Sequence, residues 1–173
     1  MPITPYHFGP SGFFGLLFKR WLDLPIFVLA NVVVDLEVAT VVLLQLGRPL
    51  HRYAHTLLGG AVVGIVWGLL ALPLRPLFAR WMHLLHLPYQ TGLAKAVVSG
   101  ILGVWLHVLI DGIYHRDVRL TWPADATALW RITSRYLKES RVEDLCVLFF
   151  PATVILYLIL MARQQRRERE DRP

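Results

Sequence analysis

The stretch LCVLFFPATVILYLILMA, residues 145–162, runs for 18 positions without a charged side chain. A helix needs about 20 apolar residues, within a range of about 17 to 25, to cross a bilayer core. The run therefore predicts a membrane-spanning helix. Working back along the chain, Leu93 to Tyr114, Ala54 to Leu72 and Leu24 to Leu46 meet or nearly meet the same requirement. A shorter apolar piece, Phe8 to Phe18, predicts a half-span or re-entrant helix. Punctuation agrees with these limits: Gly47-Arg48-Pro49 follows the first long run, and Pro73, Arg75 and Pro76 follow the second. The expected fold is all-α, a polytopic transmembrane helical bundle of four spans plus a short N-terminal membrane-associated helix. It forms one integral membrane domain over 1–162, with a charged tail over 163–173.

Composition supports this class. Of 173 residues, 55% are apolar and 17% charged. A disordered chain has low hydrophobicity and high charge, and a small soluble domain needs more charge for its surface. The net charge of +6 would suggest nucleic acid in a soluble chain. Here the basic residues sit between apolar runs and in the tail, so the expected partner is the lipid bilayer and no nucleic acid is expected. Arg163, Arg166, Arg167, Arg169 and Arg172 follow the last span and predict a cytoplasmic C-terminus. Four spans then put Lys19 and Arg20 on the same side. Cys146 is the single cysteine, which excludes an intrachain disulfide. No basic residue precedes Gly12 to Phe18, so a signal peptide is not expected. Leu77 to Leu87 is amphipathic and predicts an interfacial segment. Residues 115–144 form the polar loop, with a short helix expected from Asp125 to Lys138. The tail reads as a helix extension or a frayed end.

Polar residues at membrane depth are costly, about 2.5 to 3.5 kcal/mol for a charge on insertion scales, and so point to function. His51 and His55 are four apart at the entry to the second span, and His107 and Asp111 are four apart near the exit of the third. That spacing predicts one helix face for each pair. Alternation of the spans puts both pairs on one side of the membrane. Asp35 and Glu37 lie near the middle of the first span and can floor the same cavity. Residues two apart point in nearly opposite directions on a helix, so either the helix breaks near Asp35 and both reach one site, or one is a ligand and the other pairs with something else. Asn31 and Asp35 share a face and are expected to hydrogen-bond. His7 is expected at the cavity mouth.

Taken in order, these residues resemble the predicted bacterial membrane-bound metal-dependent hydrolases. The family's pattern is an N-terminal His, Pro-Asp-x-Asp, His-Arg-x-x-x-His-Ser/Thr, and a His-x-x-x-Asp helix followed by Trp-Pro. His7, Val34-Asp35-Leu36-Glu37, His51-Arg52-Tyr53-Ala54-His55-Thr56, His107-Val108-Leu109-Ile110-Asp111 and Trp122-Pro123 match it in turn. Val34 stands in place of the proline and Glu37 in place of the second aspartate. The resemblance implies metal binding, metal-dependent hydrolysis and the bacterial cytoplasmic (inner) membrane.

The donor set suits a divalent metal, zinc first, with manganese, iron or nickel as alternatives. One or two ions are expected. His51, His55, His107 and Asp111 nearly complete one site, while His7, Asp35 and Glu37 complete a second or support the first. A bound ion lowers the pKa of its water to about 7 and makes it a nucleophile. Asp35 and Glu37 are the expected catalytic carboxylates, Glu37 accepting the proton. Arg52 and Arg116 are the expected contacts to a phosphate or carboxylate of the substrate. A site opening at the membrane surface favours a lipid or lipid-linked substrate. Two other readings use the same residues: a metal-handling or transport protein, and a non-catalytic interaction protein whose polar cluster fixes helix packing.

Overall fold

The computed structural model describes residues 4–124, 133 and 139–170. The described residues include, in order, α1 (Phe8–Leu17), α2 (Leu24–Leu43), α3 (Leu57–Ala71), α4 (Arg75–Leu84), α5 (Leu93–Tyr114) and α6 (Glu139–Glu170). No strand occurs among the described residues. Four helical segments are long and apolar enough to cross a membrane: Leu24–Leu43, Leu57–Leu84, Leu93–Tyr114 and Arg141–Arg167. The short N-terminal helix is α1.

Local chemistry sets the helix limits. Asp23 caps α2 by accepting the Ile26 N–H at 3.2 Å, and Pro25 stands in its first turn, where a missing N–H costs nothing. After Leu43 the chain reverses through Gln45 and Gly47, with φ of 50° and 75°. Glycine takes that left-handed backbone without strain. Thr56 caps α3 by accepting the Gly59 N–H at 2.9 Å. The second span thus starts at Leu57 rather than Ala54. A 3-10 turn at Leu72–Leu74 then leads it into α4, which occupies most of the segment expected at the interface. The first span likewise stops at Leu43, three residues before its expected end. Beyond the last span the tail extends the helix to Glu170. The helix expected from Asp125 to Lys138 lies outside the described residues, apart from position 133.

The centre of the bundle is α5, packed against α2 and α3. Glycines permit the approach: a Cβ on Gly64 would lie 2.5 Å from the Ile101 Cα, and one on Gly100 would lie 2.2 Å from the Gly64 carbonyl oxygen. Ala30, Val34, Val104, Val108, Val118 and Leu120 form the core beside the polar cluster. Trp67 and Trp105 donate across helices to the carbonyls of Ile26 and Leu57, each at 2.9 Å. Helix α1 lies against α6, where Thr153 donates to the Gly9 carbonyl at 3.0 Å. Only 6% of the most apolar window of α6 is buried, against 39% for α5. A face that apolar and that open is suited to lipid. At the end of the bundle away from the polar cluster, Lys19, Pro88, Arg163 and Arg167 line one cavity. The end of α1 and the tail therefore share a side, as span alternation requires.

Candidate metal centre

Four elements meet at the polar cluster: the start of α1, the middle of α2, the loop before α3 and the last turns of α5. Helical rise puts Asp35 about 16 Å along α2 from Leu24, near mid-membrane. The 45–56 loop folds back beside α2 to reach it. Glu37 organises that loop. Its Oε1 accepts the Ala54 N–H at 2.8 Å, and its Oε2 accepts the Arg52 N–H and the His55 Nδ1–H, each at 2.9 Å.

His51 and His55 therefore do not form a helical pair. Thr56 starts the helix after them, and both imidazoles are held from a loop. Nor does α2 break at Asp35. It runs unbroken, and the His55 ring fills the angle between the two carboxylates, with Glu37 at Nδ1 and Asp35 Oδ1 3.5 Å from Nε2. Asn31 does not pair with Asp35; it donates back to the Val28 carbonyl at 2.7 Å. His7 is not at the mouth but fully inside. Its ring stacks on His107 with centroids 4.0 Å apart, and its Nε2 donates to Asp111 at 3.1 Å.

A second carboxylate repeats the role of Glu37. Asp117 accepts the Leu50 and His51 N–H groups at 3.1 and 3.3 Å and the His51 Nδ1–H at 3.0 Å. Sequence reasoning did not single out Asp117, although it lies six residues past Asp111 at the head of the polar loop. His115 sits beside it, its ring 4.4 Å from that of His51. Burial pushes the His115 pKa down to about 4, so the ring is neutral. Burial also opposes charge on His55, but the carboxylates of Asp35 and Glu37 outweigh it and raise the pKa. For Asp117, burial favours the neutral acid and His51 reverses it, lowering the pKa.

The tautomers follow from these contacts. Carboxylates accept, so His51 and His55 carry their protons on Nδ1. Their Nε2 atoms then face further carboxylates. His51 Nε2 lies 3.6 Å from Asp111 Oδ2, and His55 Nε2 lies 3.8 Å from the same oxygen. His55 Nε2 is buried and makes no hydrogen bond. His107 Nε2 lies 3.2 Å from Asp35 and 3.1 Å from Asp111. Asp35, His55, His107 and Asp111 each offer one ligand atom, all within 4.8 Å of one another. Ligands about 2.0–2.2 Å from a tetrahedral ion stand about 3.3 Å apart. The observed separations of 3.1, 3.2, 3.5 and 3.8 Å bracket that value. The group fits a divalent ion. No family model, curated protein or solved structure matches the chain.

A second group, His51, His115 and Asp117, meets the same distance test and is more open. It faces a cavity of about 590 Å³ that is also lined by Arg48 and Arg116. Arg52 is used locally: its guanidinium donates to the carbonyls of Pro49, Leu46 and Gly47 at 3.2, 3.0 and 3.4 Å, tying the reversal after α2. Among the expected site residues, His7, Asp35, His51, His55, His107 and Asp111 thus converge. Glu37 stands behind His55, and Arg52 and Arg116 lie at the rim.

Proposed function

We propose that this chain is an integral membrane metal-dependent hydrolase. The observation that supports it is His55 Nε2, a buried nitrogen without a hydrogen-bond partner, aimed at two carboxylates. Asp35, His55, His107 and Asp111 hold the ion, with zinc the first choice for mixed imidazole and carboxylate donors and manganese, iron and nickel next. Such an ion supplies Lewis acidity and lowers the pKa of water. Glu37 and Asp117 fix the tautomers of His55 and His51, as carboxylates behind metal-binding histidines do. With both Glu37 oxygens engaged by the loop, Asp35 takes the proton-accepting role. His7 holds Asp111 in place through Nε2 at 3.1 Å. The resemblance to the predicted membrane-bound hydrolases supports the same reading and assigns the chain to the bacterial inner membrane. The arginines of the tail support a cytoplasmic C-terminus, and in that orientation the site opens on the outer face, toward lipid or lipid-linked substrates.

The test is metal content by elemental mass spectrometry on the full chain in detergent, beside a His55→Ala/His107→Ala variant. One or two equivalents in the parent, lost in the variant, are expected. No metal in the parent after incubation with zinc or manganese sinks the reading.

A further inference from the structure

Beside the cluster lies a cavity of about 290 Å³ whose lining is strongly one-signed. Arg48, Arg52 and Arg119 face it together with His51, and among the described residues no carboxylate does. Arg52 is committed to loop carbonyls. Arg48 and Arg119 are exposed, and their guanidiniums make no hydrogen bond or ion pair among the described residues. The nearby acids are engaged elsewhere: Asp117 holds His51 and the Leu50 backbone, and Glu37 holds the Arg52 to His55 loop. Three guanidiniums lining one cavity, with no carboxylate among the described residues there, make a potential that attracts an anion. Guanidinium is a planar fork that matches phosphate oxygens, and it is weakly hydrated enough to bind them in a cleft. A phosphate ester carries about 1.5 to 2 negative charges at neutral pH, which suits several cations better than one carboxylate would.

Two further features give the cavity a direction. Tyr53 and Trp122 meet edge to face at 5.2 Å and form an aromatic wall. Such rings settle at headgroup depth in membranes. His51 lines this cavity and also presents Nε2 to Asp111, so an anion seated here adjoins the buried cluster.

We propose that Arg48 and Arg119 form the seat for a phosphate group on the substrate, which makes the substrate class phosphate-bearing. This rests on the hydrolase reading for its consequence but not for the binding itself. The phosphate is the handle, and it can be offered by a lipid headgroup or by a soluble phosphate ester.

The test uses the full chain in detergent, stripped of metal so that an ion does not hold the anion. Binding of inorganic phosphate is measured by calorimetry. Retention of phosphatidic acid over phosphatidylcholine is measured by native mass spectrometry. Arg48→Gln/Arg119→Gln is compared with Arg163→Gln/Arg167→Gln, which removes the same charge at the other end of the bundle. Each lost arginine is expected to weaken phosphate binding by about tenfold. The tail variant is expected to bind as the parent does. If the double glutamine variant does not fold, Arg48→Lys and Arg119→Lys keep the charge, lose the fork, and are expected to show the same direction. Retention of phosphatidic acid that disappears with the arginines identifies a lipid source. Phosphate binding without that retention identifies a soluble one. A parent that binds neither, or variants that bind as well as the parent, overturn the proposal. His55→Ala/His107→Ala separates the two readings. If it holds as much metal as the parent, the metal assignment falls while the arginine result still stands on its own.

Discussion

Replacing Glu37 by glutamine tests how the cluster is built. The parent carboxylate accepts from three donors at once: Ala54 N–H at 2.8 Å on one oxygen, and Arg52 N–H and His55 Nδ1–H at 2.9 Å on the other. Glutamine keeps the size but turns one oxygen into an NH2 group. With the amide one way round, the NH2 meets Ala54 N–H, and a buried donor is left unpaired at about 1–3 kcal/mol. The other way round, it meets His55. The imidazole can then accept at Nδ1 only by moving its proton to Nε2, the atom aimed at Asp35 and Asp111. Either outcome disturbs the centre, and the second removes a ligand. Metal affinity is expected to fall by about 10- to 100-fold, the usual effect of losing a partner behind a metal-binding histidine, or about 1.4 to 2.8 kcal/mol. Competition of the full chain with a chromophoric chelator, for zinc and then manganese, reads this directly. Thermal unfolding without metal reads the loop separately. A variant that melts and elutes as the parent does, with unchanged affinity for both ions, refutes the reasoning, because the His55 tautomer would then be irrelevant.

Four further outcomes are expected. Chelation should lower the Tm of the full chain and resupply should restore it, since an ion at about 100 times its Kd stabilises by about 2.7 kcal/mol; an unmoved Tm counts against a bound ion. Asp117→Asn should weaken metal binding by about tenfold, less than Glu37→Gln, because the Asp117 side chain is 36% exposed and His51 stands at the edge of the group. Gly64→Leu should cost at least about 3 kcal/mol, because its Cβ would meet the Ile101 backbone at 2.5 Å and neither helix can yield without opening the α3–α5 contact. Leu70→Ala, on a 66% exposed side chain, should change little in the same melting experiment.

The parts of this molecule legible in the sequence are those set by long-range averages. Hydropathy over about 20 residues marks all four spans, and the lone polar residues inside them mark His107, Asp111 and Asp35. Spacing was less informative where the backbone departs from a helix. His51 and His55 are four apart, yet the Thr56 cap leaves them on a loop, where their separation owes nothing to helical rise. The angle between Asp35 and Glu37 leaves two solutions open in the sequence, a broken helix or one carboxylate paired elsewhere. The structure resolves it with the His55 ring, a tertiary contact that no local rule contains. Asp117 was invisible for the same reason: its value comes from two loop N–H groups and His51, 66 residues away at the nearest hydrogen bond.

The cluster could still be imagined as a packing device, in which histidines and aspartates merely satisfy one another between helices. His7 and His107 fit that picture, since each can donate Nε2–H to Asp111 at 3.1 Å. His51 and His55 do not. Their donor nitrogens are already spent on Asp117 and Glu37, and what they turn toward Asp111 and Asp35 is a lone pair facing oxygens that only accept. Acceptors set against acceptors in a buried site repel, and a packing device built that way works against itself. A proton on His55 Nε2, which its carboxylates favour, answers the charge but leaves the nitrogen 3.5 and 3.8 Å from their oxygens and without a hydrogen bond. A dication reverses the account. It needs lone pairs on one side and carboxylates on the other, about 3.3 Å apart around it, with the histidine protons turned outward to second carboxylates. Two of those requirements are contacts that this chain makes, Glu37 on His55 Nδ1 and Asp117 on His51 Nδ1, and both also tie down the backbone of the loop that carries the two histidines.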